Sequence, residues 1–482
     1  MNPERVFISA DHGLAIVYFL QSRVVPSLLY EGIEVVLLTD DDLVEKINQR
    51  FGQPGLMIEG LRMKQARQYL EQISPTTQWW LNFLRRVGAS NKINVQALDS
   101  HVRQVEMEAT GRRSSIIALM KLAINALRRS RFIRQGLVQL QMHYTPLQPG
   151  LYGELFDRYQ PSLVIASTPA WRIDRFLMRE STRRGIPTAS VIVGWDNPSS
   201  YSLSGSKIDW ITCWSEIQKE ELVKGSDWDP NRVNVAGIPS YDGYFERQWL
   251  ISKKEYYRMH HLDPKRKLLS YACSFTTFSP SYQNIDALAR LVSSQELIEP
   301  CQLLIRLHPN HFLDDPLFAG ERERIKKLAQ DLPHVHVVEP VPLGGELGYY
   351  SGEDMPEKSS MLAYSDIFLT VYSTMVVECS IHETPIISVC FDVPGGWNKP
   401  NRFYLPLSQI GGWPTHKRFI DSGAGRVAMN EAELRDLINL YLRSPQEDVE
   451  KQRQFIRDEC TYTDASAGRR TAGFILSLLK TK

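Results

Sequence analysis

The sequence predicts an α/β protein of two doubly wound halves, each a parallel sheet covered by helices. Three observations lead there. Short apolar runs alternate with amphipathic helical stretches, the pattern of strands buried on both faces. The alternation restarts after Pro264, so it describes two sheets rather than one. The length, 482 residues, fits two large domains or three smaller ones. With 43% hydrophobic and 23% charged residues, the composition is globular and excludes a mostly disordered chain.

The first half opens as strand, turn, helix and strand. Val6 to Ser9 is a short apolar run, Asp11-His12-Gly13 a turn, and residues 14–30 carry helical periodicity. Gly32 stops that helix and EVVLL (34–38) supplies the next strand. Residues from about 40 to 145 are poor in strand signals and read as a helical insertion. Alternation resumes with PSLVIAST (161–168), a helix near 171–184 and PTASVIVGWDN (187–197). WITCW (210–214), a helix at 216–224 and VNVAGIP (233–239) follow. The charged, Tyr-rich stretch 240–265 reads as a linker. Beyond it come KLLSYACS (267–274), QLLIRLHP (302–309), HVHVVEP (334–340), IFLTVYS (367–373) and PIISVCF (385–391). The expected domains are 1–245 and 265–460, with a helical tail at 461–482 that would cross back to the first.

Several function classes drop out on composition. Lys plus Arg is 56 against 55 for Asp plus Glu, and a net charge of +1 argues against a nucleic-acid partner. No run reaches the roughly 18 apolar residues of a membrane-spanning helix. The start, MNPERVFISADHG, lacks the marks of a secretory signal, so a cytoplasmic location is expected. The six cysteines are scattered, without CxxC pairs or nearby His, which favours core thiols over zinc or disulfides. No GxGxxG or P-loop is present, which disfavours NAD and ATP.

Four clusters could carry chemistry, because each follows a strand run and ligands bind outside the carboxyl ends of strands in open α/β sheets. Asp11 and His12 are candidate catalytic acid/base groups. In GWDNPSS (194–200), Asp196 could do the same work, while Trp195 and Asn197 could contact a sugar or acceptor; the same residues also make a plain turn. In RLHPN (306–310), Arg306 and His308 share a strand face and suit a diphosphate leaving group. In VYSTMVVE (371–378), Ser373 and Thr374 open a helix that suits phosphate, with Glu378 one turn on for a sugar diol; a simple cap is the other reading.

VIVGWDNPSS, WITCWSEIQKEEL and VNVAGIPSYDGY follow the order seen in bacterial GT-B glycosyltransferases of surface-polysaccharide type. RLHPN, VYSTMVVE with ETPII behind it, and TDASAGRRTAGFI resemble the second half of those enzymes. The same features are similar to CDP-glycerol glycerophosphotransferase relatives and to the UDP-sugar epimerase fold. The likeness covers roughly 160–400 plus the tail, and weakly the first 40 residues. It implies a GT-B fold, with Rossmann-like halves facing a cleft and glycosyl transfer from a nucleotide sugar to a hydroxyl acceptor, lipid-linked or a growing glycan. By motif, Arg306 and His308 would face phosphate or donor sugar, with His308 catalytic. Ser373 and Thr374 would take phosphate, and Glu378 ribose or donor hydroxyls. Alternatives are a CDP-polyol phosphotransferase and an inactive scaffold. Thr370-Val371-Tyr372 stands where the polyol-phosphate transferases carry an acidic residue, which counts against them. The acidic pairs Asp41-Asp42 and Asp314-Asp315 look like helix caps, so no metal is expected.

The insertion adds one feature. From Arg112 to Arg134 there are seven basic residues and no acid, and Ile116, Ile117, Met120, Ile124 and Leu127 recur at helical spacing. Such a helix suits the anionic inner face of a cell membrane, or packs on its own domain.

Overall fold

RVFIS (Arg5–Ser9, β1) is apolar at its three middle positions and buried at four of five, and so it sits centrally in a sheet. In this computed structural model the described residues are 4–78, 116, 119, 120, 123, 130–143, 150–170, 172–200, 204–274, 281–312, 316–344, 350–391 and 407–480. They form two units. The first comprises 1–242, 343–351 and 460–482, and the second 243–342 and 352–459.

The first unit adds β2 (Glu34–Thr39), β3 (Leu56–Gly60), β4 (Leu163–Ala166), β5 (Thr188–Val191), β6 (Trp210–Cys213) and β7 (Val233–Val235). All pair in parallel in the order β3-β2-β1-β4-β5-β6-β7. The order reverses between β1 and β4, and that is the switch point where such sheets take ligands. The helix expected over 14–30 is two, Gly13–Leu20 and Val24–Tyr30, bent by 43°. The Ser22 hydroxyl accepts the Val24 N–H at the break. The helix Ala467–Lys480 buries Ala472, Ile475 and Leu479 in the same core as Val24 and Leu28. Asp242 caps it, accepting from the Ala467 and Gly468 N–H groups at 3.0 and 2.8 Å. Gly468 is required there, because a Cβ would come within 2.9 Å of the Arg23 backbone.

The second unit contains β8 (Lys267–Ala272), β9 (Cys301–Arg306), β10 (Val335–Val338), β11 (Ile367–Thr370), β12 (Ile386–Val389) and β13 (Arg426–Ala428). Their order is β10-β9-β8-β11-β12-β13, again all parallel, with the switch point between β8 and β11. The α/β, doubly wound expectation holds in both units.

Two expectations are corrected. β3 lies inside the presumed insertion and extends the sheet from β2. As an edge strand it is half-buried at most positions, so its run LMIEG lacks the apolar signature of the central strands. The stretch 240–265, expected as a linker, contains the unit boundary after Asp242, but most of it is folded: it forms the helix Lys253–Met259, and Tyr256 and Tyr257 are buried in the second unit. The short edge strand β13 had no sequence signal of its own.

Candidate functional site

At the first switch point, the residues just beyond β1 and β4 meet. The Ser167 hydroxyl donates to Asp11 Oδ1 at 3.0 Å, and the next residue, Thr168, donates to Asp174 Oδ2 at 2.8 Å. Both carboxylates are buried. Burial, and then the charge of Asp11, raise the Asp174 carboxyl well above the usual range. Asp11 Oδ2 is buried with no hydrogen-bond partner.

His12 is the N-cap of Gly13–Leu20, and its Nδ1 accepts the Ala15 N–H at 3.1 Å. Burial lowers its pKa to about 4. A neutral ring whose Nδ1 lone pair is engaged carries its proton on Nε2, so His12 can donate but cannot serve as the base. Of the expected acid/base role, that leaves the donor half. Gly13 is needed because a Cβ there would fall 2.2 Å from the Tyr350 carbonyl.

The loop after β5 departs from expectation at Trp195, which is 1% exposed and offers no face to a ligand. Gln218 holds that loop: its Nε2 donates to the Trp195 carbonyl at 3.0 Å, while its Oε1 accepts the Trp214 N–H at 2.9 Å. Asn197 Oδ1 accepts the Gly194 N–H at 2.8 Å and closes the turn. Asp196 stays half-exposed beyond the strand end.

In the second unit, charges expected to face a ligand are locked in ion pairs. Arg306 is 4% exposed, and its guanidinium bonds Asp354 and Glu357. It braces the helix Met355–Tyr364 and does not present itself to phosphate, which corrects the donor-binding role. Glu378 is buried and pairs with Lys358 Nζ at 2.5 Å, while Tyr244 Oη donates to it at 3.1 Å. It does not lie on an open helix face for a diol. Desolvation raises the Glu357 carboxyl despite Arg306, and burial with Arg306 nearby drops His260 to about 4. Lys358 and Glu357 were missed because charges on a helix read as a solvated face.

His308 Nδ1 accepts the Asn310 N–H at 3.1 Å, and its own N–H donates to His311 Nδ1 at 3.0 Å. Burial, then His311, Arg306 and Lys358, push its pKa down to about 3. The ring is neutral near pH 7 with its proton on Nε2, a donor for anionic oxygen. At the second switch point, Tyr372 takes a left-handed φ of 38°, a strained turn between β11 and Ser373. Its ring packs on His416 at 4.8 Å, and a Cβ on Gly411 would strike its hydroxyl at 2.2 Å. Ser373 Oγ accepts the Met375 N–H at 3.2 Å, and Thr374 is the N-cap of Met375–Ile381.

Asp41 caps a helix, accepting from the Arg62 and Met63 N–H groups at 3.1 and 2.6 Å, while Asp42 pairs with Lys64. Asp314 and Asp315 lie outside the described residues. A cavity of about 290 Å³ sits beyond the amino ends of β6 and β7, lined by Arg134, Lys207, Asp209, Asp227 and Arg232. Its cations are matched, Arg134 by Asp227, Lys207 by Asp209 and Arg232 by the Trp210 ring. It is distant in topology from the strand ends that hold the candidate groups.

No family model matches the chain, and no curated protein matches it in sequence. Solved structures match over the full length. UDP-GlcNAc 2-epimerase from Neisseria meningitidis, bound to UDP-GlcNAc, aligns with a TM-score of 0.53 at 11% identity, over 99% of this chain and 100% of that one. A glycosyltransferase from Rickettsia africae aligns at 0.51 and 9%, over 100% and 99%. An Anabaena protein in complex with UDP and glucose aligns at 0.50 and 10%, over 99% and 100%. At such identities the likeness establishes the fold, which is of GT-B type.

Proposed function

We propose that this GT-B-type chain is a glycosyltransferase that moves a sugar from a nucleotide sugar to a hydroxyl acceptor, lipid-linked or a growing glycan, without a metal. The observation that carries the reading is the buried Asp11 carboxylate at the first switch point, with Oδ2 unpartnered. In the proposed step the acceptor oxygen bonds the anomeric carbon, and the bond from that carbon to the phosphate oxygen breaks. Asp11 takes the acceptor proton, and Asp196 is the other candidate for that role. The nucleoside diphosphate leaves against the His308 Nε2–H, with the Ser373 and Thr374 hydroxyls on its phosphates. Asn197 shapes the acceptor loop. The setting proposed is polysaccharide synthesis in the cytoplasm, at the inner face of the membrane.

A second reading, a UDP-sugar epimerase, is favoured by the paired carboxylates Asp11 and Asp174. Epimerisation takes a proton from one face of a carbon and returns one to the other, which needs both a base and an acid. A CDP-polyol phosphotransferase is the third. Mass spectrometry of the products, with NMR to distinguish sugar epimers of equal mass, separates them. A UDP-sugar panel with glycan acceptors should yield UDP and an extended acceptor. Interconversion of sugar epimers without acceptor would establish the epimerase, and turnover of a CDP-polyol the phosphotransferase. No turnover of any of these would leave a scaffold.

A further inference from the structure

We propose that the polar cavity of about 290 Å³ at the amino ends of β6 and β7 is an accessory binding site for an uncharged saccharide unit. It lies wholly within the first unit, at the opposite edge of the sheet from Asp11 and Asp196, and it stands whichever reaction the chain performs. Arg112, Arg113, Lys121, Arg128 and Arg129 of the expected basic helix lie outside the described residues, and the cavity takes only Arg134 from that stretch.

The charges of the lining are already balanced. Arg134 gives Nε and Nη2 to the two oxygens of Asp227 at 2.6 and 2.8 Å, and Lys207 pairs with Asp209 at 3.0 Å. Arg232 lies over the Trp210 ring, 4.1 Å from its centroid, and Asp229 accepts the Asn231 N–H at 2.9 Å. Three cations thus meet three carboxylates, which leaves no net charge to draw in a phosphate or a cation. An ionic ligand would have to break the largely buried Arg134–Asp227 fork and strand one of its charges. The ligand that fits is neutral.

The hydrogen-bonding groups narrow it further. Each Asp227 oxygen accepts one bond from Arg134 and keeps a second lone pair. The exposed amides of Gln135 and Gln139, one turn apart on the helix Arg131–His143, each carry donors and an acceptor. Ser206 lines the cavity with a buried hydroxyl that no protein group satisfies, and a bound hydroxyl would supply the partner. Half-buried Trp228 adds an aromatic ring to the lining. A ligand meets this set only if it donates and accepts at neighbouring atoms and also has an apolar flank. A sugar ring does both, through its vicinal hydroxyls and its C–H face. The volume is at the lower end of the roughly 300–1,000 Å³ of small-ligand pockets, which suits one sugar unit rather than a whole nucleotide sugar. Under the glycosyltransferase reading, the site would hold glycan already built, about one strand length, roughly 13 Å, from the acceptor groups.

The test is saturation-transfer NMR of the full chain, without nucleotide sugar, using tetrasaccharides of glucose, galactose, mannose and N-acetylglucosamine at millimolar concentration. At least one should receive saturation, and inorganic phosphate should not displace it. Trp228→Ala, which removes the aromatic face, and Ser226→Trp, which fills the cavity, should each weaken its affinity by about tenfold or more. Unchanged melting temperatures show that the variants remain folded. Saturation of none of the four, or wild-type affinity in both variants, overturns the proposal. So does displacement by phosphate, which would make the cavity an anion site.

Discussion

The two sheets share a strand order around their switch points, yet the groups beyond those strand ends are held in opposite ways. In the first unit Asp11 and Asp174 are buried carboxylates held by a hydroxyl each, with the Arg172 N–H also on Asp174, and one Asp11 oxygen has no hydrogen-bond partner. In the second unit each buried charge has a counter-charge, Arg306 with Asp354 and Glu357, Lys358 with Glu378. The candidate groups that remain neutral there are the His308 imidazole and the Ser373 and Thr374 hydroxyls. A shared topology fixes where side chains emerge, and the pairing of those side chains decides whether a region is built for proton transfer or for rigidity.

The largest effect expected from breaking this contrast is on turnover. Asp11→Asn removes the proposed base, so kcat should fall about 10²–10⁴-fold, as general-base loss does. The unfolding free energy should hold or rise, because a buried, incompletely satisfied carboxylate is gone. Steady-state kinetics beside urea unfolding check both.

Arg306→Met should do the reverse. It strands Asp354 and Glu357, and breaking a buried ion pair costs about 3–5 kcal/mol, read in the same unfolding curves. Glu378→Gln, which strands Lys358, should also destabilise. An Arg306 variant as stable as wild type would remove the brace assignment.

Ser373→Ala/Thr374→Ala should weaken nucleotide-sugar affinity by roughly ten- to a hundredfold, the loss of about 1.5–3 kcal/mol from hydrogen bonds to charged groups, with little change in melting temperature.

The pH response sharpens the comparison, because the buried histidines and the buried Asp174 carboxyl titrate with opposite sign. In the second unit His260 and His382 are lowered to about 4 and His308 and His416 to about 3, against 6.5 in the unfolded chain. Their stabilising share is full above pH 6.5 and is lost as pH falls through those lowered values, since the unfolded chain binds protons first. Asp174 runs the other way. Its raised carboxyl favours the fold below the ordinary Asp range, and that share erodes as pH rises through its folded pKa. Hydrogen exchange across pH 4–7 should show the second unit loosening first on acidification, with His12 the one counterpart among the described residues of the first. The smallest effect expected is from EDTA, which should leave turnover unchanged; loss restored by Mn²⁺ would contradict the metal-free reading.

Much of this was legible in the sequence. The central strands announce themselves as apolar runs, so the residues that follow them, Asp11, Asp196, His308 and Ser373, could be set at strand ends before any coordinates. The partners of those residues were not legible. Lys358 and Glu357 sit on a helix where a charge looks solvated, and only tertiary packing turns them inward. Trp195 sits among turn formers, and nothing local reveals that Gln218 pins its loop against the core. Asp174 is 163 residues from Asp11, and no spacing rule connects them.

The division of labour between the two units is tested most directly by titrating a UDP-sugar into Asp11→Asn and into Ser373→Ala/Thr374→Ala by calorimetry. The account predicts that the Asp11 variant binds within about twofold of wild type, well under 1.4 kcal/mol, while the hydroxyl variant binds at least tenfold more weakly. Equal losses in both, or wild-type affinity in the hydroxyl variant, would contradict it.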